Sequence, residues 1–151
     1  MSLYGLVILA ASLSIAGELQ KLDGPWVVES VLRDPREKRL DEGKGIRCVV
    51  ENGRAIVQLP GEEKVAGVFV IKIDPAMKPK TMEIRPEGEN GVILAIYELR
   101  GDSLRVCWTP QGKERPTDFA SNPGSGDSLI VLKRKISSGD RPPRTKRRRR
   151  S

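Results

Sequence analysis

Residues 92–126, VILAIYELRGDSLRVCWTPQGKERPTDFASNPGSG, read as a β-hairpin that runs into a long loop punctuated by Gly and Pro. Gly101 and Asp102 are turn residues between two strand-like runs, which fixes the register. Arg100 then faces Ser103, and counting back pairs Leu99 with Leu104, Glu98 with Arg105, Tyr97 with Val106, Ile96 with Cys107 and Ala95 with Trp108. One face gathers Ala95, Tyr97, Leu99, Leu104, Val106 and Trp108. The other carries the opposite charges of Glu98 and Arg105 beside Leu94, Ile96 and Cys107. The first face is the expected core side. The second is more apolar than solvent favours, and the loop Pro110 to Asp127 is the nearest segment able to cover it. Phe119, its only large apolar residue, is the expected anchor.

The same alternation recurs along the chain. Strand-like runs span Trp26 to Arg33, Ile46 to Glu51, Arg54 to Leu59, Val65 to Ile73, Thr81 to Arg85, Val92 to Leu99, Ser103 to Thr109 and Ser128 to Lys135. Turn-rich separators divide them, and the polar stretch Glu18 to Asp23 allows about one helical turn. A chain of 151 residues with 38% apolar and 31% charged residues suits one soluble domain, and 15 Gly with 11 Pro supply the turns. Sequential strands with short connections predict an all-β fold, an eight-stranded antiparallel up-and-down barrel that closes and so removes its edges. The inward set is Trp26, Val28, Leu32, Ile46, Cys48, Val50, Val57, Leu59, Phe69, Ile71, Ile73, Met82, Ile84 and the core face of the hairpin.

Asn52-Gly53 signals a type I′ turn, which pairs Glu51 with Arg54, Val50 with Ala55, Cys48 with Val57 and Ile46 with Leu59. Cys48 therefore lies on the inward face, whereas Cys107 lies on the outward one. Side chains on opposite faces cannot reach the roughly 3.8 Å Cβ separation of a disulfide. Two free thiols are expected.

The ends differ from the middle. Residues 1–16, MSLYGLVILAASLSIA, carry no charge, hold an apolar run from Leu3 to Ala11, and finish with small residues at the positions a signal peptidase reads. The run is shorter than the roughly 20 residues that span a bilayer. This predicts a signal peptide cleaved near Ala16, a barrel domain over 17–136, and a secreted or cell-envelope (periplasmic) location. Residues 137–151 hold seven basic residues and one acid, so most of the chain's net charge of +7 sits in this tail and the rest is nearly neutral. Without apolar residues and with two prolines, the tail is expected to be disordered.

The chain contains no histidine, which removes the usual general base, the Ser-His and Cys-His nucleophile systems and imidazole metal sites. No P-loop occurs, and Gly124-Ser125-Gly126 is turn chemistry. Glu62, Glu63, Glu87 and Glu89 sit at turns, where solvated loop charge outweighs a calcium site or an acid/base pair. The expectation is a protein that is not an enzyme and takes no cofactor or metal.

Gly24-Pro25-Trp26 at the head of the first strand, with Arg134 near the end of the last, resembles the lipocalin and fatty-acid-binding-protein class of barrels. That resemblance implies Trp26 packed at the barrel floor against Arg134 in a cation–π contact. A longer match runs from about Leu19 to Lys135. Its segments are Leu22-Asp23-Gly24-Pro25-Trp26, Ile73-Asp74-Pro75 through Lys78-Pro79-Lys80-Thr81, Ala95-Ile96-Tyr97-Glu98-Leu99 with Gly101-Asp102, Gly112 through Phe119, and Ser121 through Gly126. These resemble a lipocalin-like domain of unknown function expanded in planctomycetes. The likeness implies a small exported β-barrel and brings no catalytic residue with it. Pro25, Cys48 and the basic tail depart from that pattern.

A non-catalytic binding module for a small apolar ligand follows as the first functional expectation, with Trp26, Phe69, Tyr97 and Trp108 as interior ligand-binding candidates. The first alternative is an envelope interaction protein. Its tail residues Arg144, Lys146, Arg147, Arg148, Arg149 and Arg150 would bind an acidic glycan, an anionic lipid surface or nucleic acid without sequence specificity. Further alternatives are a purely structural barrel and, behind these, a hydrolase built on a carboxylate pair.

Overall fold

A computed structural model describes residues 15–33, 43–110, 112–120 and 126–135. Eight strands follow in order: β1 (Gly24–Arg33), β2 (Arg47–Glu51), β3 (Arg54–Gln58), β4 (Val65–Asp74), β5 (Lys80–Pro86), β6 (Ile93–Arg100), β7 (Ser103–Trp108) and β8 (Ser128–Arg134). Each pairs antiparallel with its sequence neighbour, and β8 pairs with β1 to close the barrel. All eight expected runs are strands, their ends moved by one or two residues. Closure leaves no strand with an unpaired backbone edge.

The β6–β7 register matches the reading of the hairpin at all six pairs, from Ala95↔Trp108 to Arg100↔Ser103. At the β2–β3 turn both Asn52 and Gly53 have positive φ, 48° and 77°, as a type I′ turn requires. Its pairs Glu51↔Arg54, Val50↔Ala55 and Cys48↔Val57 are as expected.

Two inward assignments are corrected. The β1–β8 register slips between Val28 and Ser30, where Val28↔Leu132 is followed by Ser30↔Val131. This β-bulge inserts Glu29 and inverts the parity of everything after it. Val31, paired with Ile130, packs against the core. Leu32 turns outward opposite Leu129, which in turn faces Cys107 on the outside of the barrel. Leu59 is the second correction: β3 ends at Gln58, and Leu59 is 39% exposed.

Residues 15–22 are helical, a longer segment than the single turn expected; this is α1. Ile15, Glu18, Leu19 and Leu22 follow helical spacing along one side. The helix lies across the barrel end that carries the 52–53 and 101–102 turns, and Leu22 seals it at 1% exposure. Burying a side chain of this size stabilises by about 1.5–3 kcal/mol. No helix among the described residues is long and apolar enough to cross a membrane.

Residues 112–120 form the strap expected over the outer face of β6 and β7. Ile96 and Cys107 point outward yet are 1% and 0% exposed. Phe119 anchors by sitting under the Arg105 guanidinium, 4.6 Å from ring centroid to Cζ, and the Cys107 thiol faces the Ala120 carbonyl at 3.9 Å. Arg105 in turn donates to Glu98, so stacking, ion pair and strap form one unit.

The expected signal segment 1–16, apart from Ile15 and Ala16 in α1, and the tail 137–151 lie outside the described residues.

Candidate functional site: the barrel interior

Alternation along eight strands sends one apolar row from each into a common interior, and a short helix caps one end. At this closed end the Trp26 indole N–H donates to the Leu22 carbonyl at 2.8 Å. Arg134 Cζ lies 4.3 Å over the Trp26 ring. The same guanidinium donates to the Asp23 and Lys21 carbonyls, both at 2.8 Å, and pairs with Asp102 at 3.3 Å. It thereby satisfies carbonyls that the end of α1 leaves without helical partners. Gly24 makes this possible: its φ is +121°, and a Cβ there would stand 3.1 Å from Arg134 Nη1. The Gly-x-Trp and arginine arrangement implied by the resemblance is present in the geometry.

A polar group hidden from the sequence reading sits beside it. Glu18 is 7% exposed, bonded by Lys80 at 2.5 Å and Lys21 at 3.4 Å, with the Tyr97 hydroxyl 3.4 Å away. Burial opposes ionisation of Glu18, but the Lys80 and Lys21 ammonium groups outweigh it and hold the carboxyl below its ordinary 4.5. The same burial and the Glu18 charge push the Tyr97 phenol upward, so it stays protonated and donates. The one sequence signal was the placement of Glu18 at helical spacing with Ile15, Leu19 and Leu22.

Above this floor lies a cavity of about 250 Å³ whose lining is apolar throughout. Trp26, Phe69 and Trp108, three of the four expected ligand-binding residues, line it. Tyr97 does not: it faces inward lower down and is engaged by Glu18. Ala55, Val106, Ile130 and Leu132 complete much of the wall, the last two being β8 residues of the inward parity. Cys48 also lines it, and burial pushes its thiol up to about 11. A second chamber of about 390 Å³ adjoins toward the opposite end, sharing Cys48, Trp108, Ile130 and Leu132 with the first.

The chain matches no family model, no curated protein and no solved structure. The interior is therefore read from its own geometry.

Cys48 and Cys107 are free and on opposite sides of the wall. Burial, with Asp127 and Asp118 nearby, pushes Cys107 up to about 11, against a smaller opposing effect of a backbone hydrogen bond at Ala120. The turn carboxylates Glu62, Glu63, Glu87 and Glu89 are exposed, and Glu87 pairs with Arg54 at 2.9 Å. Among the described residues no three Cys, Asp or Glu side chains are grouped to hold a metal ion. The polyanion-binding candidates Arg144 and Lys146 to Arg150 lie outside the described residues.

Proposed function

We propose that this chain is a non-catalytic binding module, a lipocalin-like barrel that carries a small apolar ligand in its interior. The observation that supports this most is the cavity of about 250 Å³ with no charged side chain on its wall. It is larger than the roughly 150 Å³ apolar cavity that accommodates benzene and close to the lower end of the roughly 300–1,000 Å³ range of ligand pockets. An interior packed only for stability fills to a density that leaves few voids larger than a water molecule. The size favours a short alkyl chain or a small ring system. Competition against an environment-sensitive fluorescent fatty acid, with native mass spectrometry of gently purified protein, tests the reading. Saturable displacement with one ligand per chain is expected; no bound species and no displacement would leave a purely structural barrel.

The uncharged, apolar N-terminal stretch favours export, with cleavage near Ala16 and a secreted or envelope location. A second reading rests on the tail's charge, seven basic residues against one acid: attachment of the barrel to an anionic polymer or membrane surface. Heparin retention of the full chain against a chain ending at Lys135 tests it. Earlier elution of the shortened chain is expected, and equal elution would remove the tail from any such role.

A further inference from the structure

We propose that the ligand is a single-chain amphiphile with one negatively charged headgroup, seated chain-inward with its headgroup against Arg33 at the rim opposite α1. This rests on the cavity reading above and goes beyond it in naming a charge and an orientation.

Among the described residues the outer chamber is lined by Val28, Val31, Ile46, Trp108 and their apolar neighbours, and by one charged residue, Arg33. No charged side chain lines the inner cavity. Among the described residues Arg33 is thus the single charge on a two-chamber apolar slot, and it stands at the outer end. Its position follows from the bulge in β1. Without the register slip at Glu29, Leu32 would hold the inward parity and Arg33 would face out; with it, Val31 and Arg33 turn to the interior side. Bulges at barrel rims re-aim side chains in this way.

Charge elsewhere makes the slot directional. At the closed end Lys80 and Lys21 are engaged by Glu18, and Arg134 by two carbonyls, Asp102 and the Trp26 ring. An anion driven to that end meets a buried carboxylate and cations already paired. Among the described residues, no carboxylate pairs with the exposed Arg33. An ionised headgroup is costly to bury without a partner, whereas at the rim it keeps water and gains a guanidinium whose fork fits carboxylate and sulfate oxygens alike.

Calorimetric titration with decanoate, decyl sulfate and decanol at neutral pH tests this on the full chain. The two anions are expected to bind roughly fivefold tighter than the alcohol, the size of an exposed ion pair. Arg33→Gln should bring the three together, and Arg33→Lys should retain part of the preference. Equal binding of all three by the native chain overturns the proposal and leaves the cavity reading standing, as does an anion preference that survives Arg33→Gln. No binding of any of the three overturns both.

Discussion

Arg134, the last residue of β8, lies over Trp26 near the start of β1, with 4.3 Å from guanidinium carbon to ring centroid. The contact joins the strands that close the barrel and fixes α1 beneath them through the Lys21 and Asp23 carbonyls. Replacing Arg134 with Met should lower unfolding free energy by about 2–4 kcal/mol, from the lost cation–π contact and the carbonyls left without a donor. Lysine should recover little, because it lacks the planar fork. Urea denaturation of the three proteins measures both effects.

Glu18 gives the fold a defined acid sensitivity. Its folded-state carboxyl titrates below the ordinary 4.5, so the stability it contributes is fully present above the unfolded-state value and is lost as pH falls through the folded one. Glu98, held down by its hydrogen bond from Arg105, acts in the same direction at the surface. Glu18→Gln should lower stability at neutral pH and flatten its decline in acid, as followed by thermal melts across an acid series. A variant with the native acid profile would show that Glu18 is not the group titrating.

The thiols report on the two sides of the wall. With both pushed up to about 11, neither is appreciably ionised at neutral pH. Iodoacetamide should label neither in the native protein and both after denaturation, and the intact mass without reductant should show no loss of two hydrogens. Phe119→Ala should loosen the strap and make Cys107 reactive while Cys48 stays protected. Labelling of Cys48 first would reverse the assignment of faces.

Gly43 packs against Val31 at the barrel end opposite α1. A Cβ at Gly43 would stand 2.2 Å from Val31 Cγ2 and 3.2 Å from its Cβ. Gly43→Ala should therefore destabilise by about 1–3 kcal/mol. In a Val31→Ala background the same change should cost far less, a coupling that a double-mutant cycle on denaturation midpoints would read.

The parts of the fold governed by local rules were legible in the sequence. Turn chemistry at 52–53 and 101–102 set two hairpin registers, and parity then placed Trp26, Phe69, Trp108 and Cys48 on the interior side. Leu59 was misplaced because β3 stops one residue short of it, and Leu32 because a non-local event changes parity. Nothing in Val27-Val28-Glu29-Ser30-Val31-Leu32 announces a bulge, because the slip is defined by pairing with β8, about a hundred residues away. It moved Leu32 out and Val31 and Arg33 in, and with them the only charge that the described residues place on the slot. Tyr97 has the inward parity the sequence assigns it, but its height along the strand places it with Glu18 and Lys80, a juxtaposition of three distant segments. Parity specifies a face; it does not specify depth.

The central claim, that the interior is a ligand site, is tested most directly by titrating decanol into the native chain and into Ala55→Phe. Ala55 is buried on the cavity wall, and a phenyl group there occupies the space a ligand would take. The account predicts one saturable site per native chain and none in a variant that still folds by circular dichroism. An unsaturable response from the native chain, or equal binding by both, would contradict it.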